Sequence, residues 1–298
     1  MPEKIGVVLM AYGTPEKEED VEPYLKDIFK GREVPKPVLQ KTLEKYRKIG
    51  FSPLNKITLK QCMLVQEDLS RRGFNAVVTA GMKHWKPSIK TAIETLKKED
   101  LEILIGILMH PFSSIMGSRE YEEIFNESSK GMKSVFVDRW YYYEKIYKAW
   151  NQNMKEAIAS FNGNEFYTIF TSHGLPSNVD DKEYRKELEE FSAKLAYESG
   201  IKNFCLSYQN GEHKDWYKPE VREKIISSLE GKGYIKKGMT GTGLTKKGKL
   251  AYYSVFNNIK EESRGVFYVL RKLYRVSEKE LEPIYQLYMQ ETSKEAKN

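Results

Sequence analysis

The chain contains only two cysteines among its 298 residues, Cys62 and Cys205, and they lie far apart. They form no CxxC pair, so neither a disulfide scaffold nor an iron–sulfur cluster is expected. We predict instead that both thiols are buried as small hydrophobic groups in a protein of a reducing compartment.

Long hydrophobic runs are also missing from the sequence. No segment approaches the ~20 apolar residues that a membrane-spanning helix requires. The apolar run within MPEKIGVVLM is too short for the hydrophobic region of a signal peptide. With 40% hydrophobic and 31% charged residues, the composition is that of a soluble globular protein. We therefore predict a cytoplasmic location, and peripheral contact with a membrane surface stays open as an alternative.

Strand and helix patterns alternate along the first half of the chain. The run IGVVLMAY at residues 5–12 is continuously apolar, which indicates a strand covered on both faces. Further strands are predicted over residues 75–82, 101–109 and 134–137, and helices over residues 20–30, 38–49, 55–72, 87–98 and 119–129. In the helix over residues 55–72, the side chains expected to face inward are Ile57, Cys62, Val65 and Leu69. This alternation is typical of a doubly wound α/β domain.

The same plan restarts near residue 166. A buried strand is predicted over residues 166–170, a helix over residues 180–198, and another strand over residues 203–208. The aromatic stretch WYYYEKIYKAW at residues 140–150 is interpreted as an amphipathic helix between domains, with ligand stacking as the alternative. We therefore expect two similar α/β domains, over residues 1–145 and 146–235, with a cleft between them.

Polar and aromatic residues follow several of the predicted strands. They are Tyr12, His84, His110 with Ser113, His173, and Tyr208 with Gln209. Ligands of open parallel sheets bind outside the carboxyl ends of the strands, so these residues favour a cleft with a shared ligand. Within FYTIFTSHGLP, His173 can act there as a base or a metal ligand near neutral pH.

An ordered set of motifs resembles those of the ferrochelatases, especially the bacterial branch that metallates coproporphyrin III. The motifs are MAYGTP (residues 10–15), YRKIGFSPL (46–54), GMKHWKPSI (81–89), HPFSSIMGSREY (110–121), TSHGLP (171–176) and SYQNGEHKDWYKPEV (207–221). The resemblance covers about residues 5–230. It implies two Rossmann-like, chelatase-type domains with parallel sheets flanked by helices and a porphyrin cleft between them.

The resemblance also implies a reaction and its residues. Fe²⁺ would be inserted into coproporphyrin III or protoporphyrin IX in haem biosynthesis, with loss of the two pyrrole protons and no cofactor beyond the substrate iron. His173 matches the essential histidine that binds the metal or takes up protons. The residues that match substrate-binding positions are Tyr12, which faces the macrocycle, Lys45, Tyr46 and Ser52, which hold propionates, and Tyr121, which supplies a pocket hydroxyl. His84 matches a histidine near the cleft mouth. We expect a monomer that binds no nucleic acid.

Two groups of basic residues depart from the coproporphyrin branch. Phe29-Lys30-Gly31-Arg32 stands where that branch usually has Arg-Arg-Gly-Arg, and Lys45 stands where an arginine is common. Lysine offers a point charge, whereas arginine binds a carboxylate through a bidentate fork. Propionate recognition is therefore expected to be looser, or to depend partly on Arg32 and Arg47.

A larger departure concerns the end of the family pattern. Ferrochelatases have a further strand that ends in His-Leu-Glu, and its glutamate relays protons opposite the essential histidine. No such motif follows residue 234, and the last histidine is His213. Reduced or absent activity is expected unless another acid substitutes, for which the candidates are Glu212, Glu261 and Glu262. A porphyrin- or haem-binding protein with weak turnover is therefore the first alternative function.

The C-terminal part has a different electrostatic character. Residues 216–298 carry 17 of the 49 basic residues but only 10 of the 42 acidic ones, which accounts for the whole net charge of +7. We interpret residues 236–298 as a basic, mostly helical segment. Residues 221–250 also resemble the later half of a winged-helix domain, with a Gly-rich hairpin ending in Thr245 to Gly248. A tetrapyrrole-sensing DNA-binding regulator is therefore the second alternative.

Overall fold

A computed structural model describes residues 4–159, 166–210, 215–231, 235–238 and 241–244 of the chain. These residues belong to two compact units. The first contains the described residues up to Thr168 together with Val179–Phe204, and the second contains Ile169–Asn178 and the described residues from Cys205 onward. The domain boundaries expected after residues 145 and 235 stay predictions.

The first unit contains a four-stranded sheet in the order β2-β1-β3-β4. Its strands are β1 (Lys4–Ala11), β2 (Asn75–Met82), β3 (Ile103–Leu108) and β4 (Ser134–Val137), and every pairing is parallel. Its helices are α1 (Val21–Ile28), α2 (Lys36–Ile49), α3 (Leu54–Arg71), α4 (Ile89–Leu96), α5 (Arg119–Ser128), α6 (Glu144–Ala159) and α7 (Lys182–Glu198). The predicted parallel α/β fold class is confirmed.

The central strand β1 is buried on both faces, as its continuous apolar run predicts. Val8 and Met10 pack with residues of α4 and α5 on one face. Val7 and Leu9 pack on the other face with Cys62 of α3. Because successive side chains of a strand point to opposite faces, helices must cover both sides of this sheet.

The helix α3 corrects one detail of the predicted core. Ile57 is 49% exposed, whereas Cys62 is buried and Val65 and Leu69 pack against the sheet. The inward stripe begins at Asn55 instead. It continues through Thr58, Cys62, Val65 and Leu69, at alternating steps of three and four residues. Ile57 lies off this stripe, so its predicted burial was wrong.

The aromatic stretch at residues 140–150 enters a helix only at Glu144. Around Phe191 of α7 lie the rings of Phe112, Tyr141, Tyr147 and Trp150, with centroid distances of 5.3–6.4 Å. These edge-to-face contacts show that Tyr141, Tyr147 and Trp150 of the stretch pack within the first unit.

Apart from their first residues, the paired strands β5 (Thr168–His173) and β6 (Phe204–Gln209) lie in the second unit, which also contains α8 (Val221–Gly231). The residues of β5 are half-buried or exposed, so the prediction of a buried strand was wrong. An antiparallel hairpin, β7 (Ile235–Gly238) with β8 (Gly241–Leu244), lies within the predicted Gly-rich hairpin. Residues 245–298, which include Thr245 to Gly248, lie outside the described residues.

Among the described helices, none is long and apolar enough to cross a membrane. The two cysteines are free thiols in the structure. Cys62 is buried as predicted, and this burial raises its pKa to about 11, so the thiol stays protonated at neutral pH. Cys205 is only half-buried.

Candidate functional site

A cavity of about 480 Å³ lies in the first unit, at the carboxyl end of β1. Four of the five predicted substrate-binding residues line it, namely Tyr12, Lys45, Tyr46 and Ser52. Tyr12 follows β1, whereas the other three belong to α2 and the loop after it. The structure therefore brings together residues that are separated by more than thirty positions in the sequence.

The turn after β1 forms one wall of this cavity. Gly13 adopts a φ of 84°, and a Cβ atom there would lie 2.6 Å from Cβ of Trp85, so only glycine fits. The next residue, Thr14, is held by the buried Asn55 of α3. The Asn55 Oδ1 accepts the Thr14 N–H at 3.2 Å, and its Nδ2 donates to the Thr14 carbonyl at 2.8 Å. This clamp fixes the backbone that positions Tyr12.

Replacement of Asn55 by alanine is expected to destabilise the protein by about 2 kcal/mol, because the buried amide and carbonyl of Thr14 lose their partner. We also expect a higher KM for a substrate that occupies this cavity, since Thr14 lines it. Denaturant unfolding and steady-state kinetics measure the two effects. Gln66 is the matched control, because its side chain clamps the backbone of Ala76 and Val78 in β2. A KM increase of equal size in Gln66→Ala would contradict the positional role of Asn55.

Tyr46 connects the two walls of the cavity. Its hydroxyl lies 3.0 Å from Thr14 Oγ1, and its ring stacks on Phe51 at a centroid distance of 5.6 Å. Phe51 itself adopts a φ of 66°, which is unusual for a side chain of its size. The stacking holds this turn, and the turn places Ser52 at the cavity wall.

Of the two arginines proposed as alternative propionate ligands, neither lines this cavity. Arg47 forms an ion pair with Glu18, and its Nε donates at 2.8 Å. Arg32 donates from Nε to the carbonyl of Phe29 at 3.1 Å. Lys45 is thus the basic side chain of the cavity wall, as the matched motif suggests.

His84 lies next to Tyr12 at the edge of the sheet. The two rings meet edge to face at a centroid distance of 4.7 Å. The His84 Nδ1 lies 2.7 Å from Oδ2 of Asp27, and because a carboxylate only accepts, Nδ1 carries the hydrogen. Asp27 therefore fixes the orientation of the imidazole beside the Tyr12 ring.

Tyr121 does not line the 480 Å³ cavity, and its side chain is buried in the core of the first unit. Burial, followed by the nearby Tyr12 and Glu120, raises the pKa of its phenol, so it is neutral at physiological pH. The connection to Tyr12 runs through Lys83, whose Nζ lies 5.0 Å from the Tyr121 ring centroid and 5.9 Å from that of Tyr12. Sequence reasoning did not single out Lys83, although it adjoins His84 in the GMKHWKPSI motif.

His173 lies at the end of β5 in the second unit and is exposed. Its Nδ1 lies 2.7 Å from the carbonyl oxygen of Gly174. A carbonyl only accepts, so Nδ1 carries the hydrogen, and the lone pair of the neutral ring is on Nε2. The Trp216 ring lies 5.5 Å away between centroids. The structure thus orients the imidazole with Nε2 as the atom for a metal or a proton.

The turn after His173 is fastened to the segment that follows β6. The Gly174 N–H donates to the carbonyl of Gln209 at 3.3 Å, and the Tyr217 N–H donates to the carbonyl of Leu175 at 2.9 Å. The buried Asn210 donates from Nδ2 to the Tyr217 carbonyl at 2.6 Å. These hydrogen bonds hold the backbone that carries the exposed imidazole in a fixed position.

His110, another of the strand-end residues, is half-buried and stabilises the local backbone. Its Nδ1 donates to the carbonyl of Phe112 at 2.9 Å, and burial lowers its pKa, so the ring is neutral at pH 7. In the part of the chain that the structure describes, no group of three or more His, Cys, Asp or Glu side chains is placed to hold a metal ion. The three carboxylates named as substitutes for the relay glutamate lie outside the described residues.

Comparisons with known proteins identify similar chains. A family model described as Ferrochelatase matches residues 4–239. The coproporphyrin III ferrochelatase of Oceanobacillus iheyensis is 32% identical over 245 residues, which cover 78% of this chain and 78% of that protein. The ferrochelatase of Thermus thermophilus is 28% identical over 265 residues, which cover 80% of this chain and 83% of that protein. Among solved structures, that of SirB from Bacillus subtilis with Fe³⁺ aligns with a TM-score of 0.46 and 12% identity, over 76% of this chain and 71% of that one.

Proposed function

The chain belongs to the ferrochelatase family, and from this premise we propose that it inserts Fe²⁺ into coproporphyrin III. As a member, it is a metal-inserting chelatase whose substrates are a porphyrin and ferrous iron. The choice of coproporphyrin III is supported by the names of its relatives in Oceanobacillus iheyensis and Bacillus subtilis, the latter 30% identical over 244 residues. Protoporphyrin IX is the competing substrate.

The observation that carries this proposal is the 480 Å³ cavity. Tyr12, Lys45, Tyr46 and Ser52, which stand in motifs that resemble the family's substrate-binding segments, line it together. An aromatic ring beside an ammonium and two hydroxyl groups suits a flat macrocycle whose edge bears carboxylates. Lys45 and the hydroxyls would bind a propionate, while the Tyr12 ring, 44% exposed, would contact the macrocycle.

The reaction replaces the two pyrrole N–H bonds with bonds to iron and releases two protons. We assign the metal-facing role to His173, because its Nδ1 hydrogen is held by the Gly174 carbonyl and its lone pair is on Nε2. The Nε2 atom can coordinate Fe²⁺ on arrival or accept a proton as it leaves a pyrrole nitrogen. The second proton needs another acceptor, and no described residue is assigned to that role.

An anaerobic metallation assay tests the proposed substrate. We expect kcat/KM with Fe²⁺ to be at least about tenfold higher for coproporphyrin III than for protoporphyrin IX, because additional propionates can engage Lys45 and nearby polar groups. Zn²⁺ replaces Fe²⁺ in a parallel assay to control for iron oxidation. A preference for protoporphyrin IX would contradict the substrate proposal. A rate no faster than uncatalysed metallation would contradict the function itself.

A further inference from the structure

One carboxylate at the edge of the candidate site binds two lysines. Glu120, in the first turn of α5, lies 2.6 Å from Nζ of Lys83 and 3.0 Å from Nζ of Lys30. These hydrogen bonds lower the pKa of Glu120 to about 2, so it is ionised throughout the physiological range. The cluster of Lys30, Lys83 and Glu120 therefore carries one net positive charge.

This lysine–glutamate cluster lies beside the predicted macrocycle contact. The Lys83 N–H donates to the Ala11 carbonyl and the His84 N–H to the Tyr12 carbonyl, so Lys83 is fixed at the carboxyl edge of the sheet. Its side chain is only 9% exposed and lies near the rings of Tyr12 and Tyr121. An ammonium so poorly hydrated requires an anion, and Glu120 supplies it.

Lys30 approaches the same carboxylate from the solvent side. It follows α1 with a φ of 53°, a left-handed conformation that a lysine rarely adopts, and its side chain is 73% exposed. The structure thus places an exposed and a shielded ammonium on the two oxygens of one carboxylate. A carboxylate of a bound ligand would have the same chemistry as that of Glu120.

We propose that Glu120 is a specificity-determining residue, whose carboxylate occupies Lys30 and Lys83 in place of a substrate propionate. The proposal rests on the proposed function. Glu120 neutralises one of the two positive charges of the cluster, of which Lys83 lies beside Tyr12, and it therefore weakens the attraction for porphyrins that carry additional carboxylates. Without the charge of Glu120, the ammonium groups of Lys30 and Lys83 are free to bind propionates of the substrate.

The test is binding of metal-free porphyrins, measured by fluorescence titration of the full chain and its variants. In Glu120→Gln, we expect the Kd for coproporphyrin III, which has four propionates, to fall about fivefold, equivalent to about 1 kcal/mol. The Kd for protoporphyrin IX, which has two, should change less than about twofold. The difference should shrink at high ionic strength, because partly exposed charges are screened.

Two further variants isolate the cause. Glu123→Gln on the same helix removes an exposed ion pair with Arg119 and should leave both Kd values unchanged. Lys30→Gln in the Glu120→Gln background should restore the wild-type Kd for coproporphyrin III. Equal changes for both porphyrins, or weaker binding of both, would show that Glu120 only holds the lysines in place and would overturn the proposal. If the wild-type chain binds neither porphyrin, the proposed function fails as well.

Discussion

Replacement of His173 by alanine is expected to abolish metal insertion while porphyrin binding is largely retained. We expect kcat to fall by at least about 100-fold, which is the usual contribution of a positioned acid–base group. The residues proposed to bind the porphyrin line the 480 Å³ cavity of the first unit and keep their contacts, so the Kd for the porphyrin should change little. Zn²⁺ insertion followed by absorbance and porphyrin fluorescence titration measure the two quantities.

The role of the ring itself can be tested by chemical rescue. Added imidazole should partly restore the rate of His173→Ala, because a free imidazole can supply the missing nitrogen lone pair. It should not accelerate Asn55→Ala, whose defect is positional. Normal metallation by His173→Ala would show that the site assignment is wrong. Loss of porphyrin binding in the same variant would show that His173 holds the macrocycle rather than the metal.

The sheet of the first unit could be predicted from local patterns because each strand is a short apolar run bounded by turn residues. The predicted bounds of β2 and β4 agree with the structure, and β1 differs by one residue at each end. The burial of β1 on both faces followed from its unbroken apolarity. Burial of β5 could not be predicted in this way, since it depends on what packs against the strand.

The convergence of Tyr12, Lys45, Tyr46 and Ser52 could be predicted only with the family motifs. The strand-end rule predicts where Tyr12 lies, but nothing in the local sequence places α2 beside it. The lysine–glutamate cluster was missed for a related reason. Glu120 and Lys83 are both surface-type residues in helix and loop patterns, and their contact depends on the packing of α5 against the sheet.

Replacement of Gly174 by alanine is expected to damage both stability and activity. A Cβ atom at this position would lie 1.8 Å from Oδ1 of Asn210 and 2.9 Å from its Cγ. Asn210 cannot simply withdraw, because it is buried and donates to the Tyr217 carbonyl. We expect a loss of about 2 kcal/mol in the free energy of unfolding, as for other overpacked sites. Activity should fall by at least about tenfold, because the Gly174 carbonyl orients the imidazole of His173.

Two variants separate this steric effect from a general effect of alanine. Gly231→Ala, at the end of α8, meets no atom within 4 Å and should be neutral or slightly stabilising. Combining Gly174→Ala with Asn210→Ala removes the atoms that clash, so the double variant should be more stable than the sum of the two single changes predicts. If the losses in unfolding free energy are additive, the destabilisation by Gly174→Ala does not come from the contact with Asn210. If the double variant recovers stability but not metallation, the fold of this turn is restored while the orientation of His173 is not. That orientation depends on where the Gly174 carbonyl points.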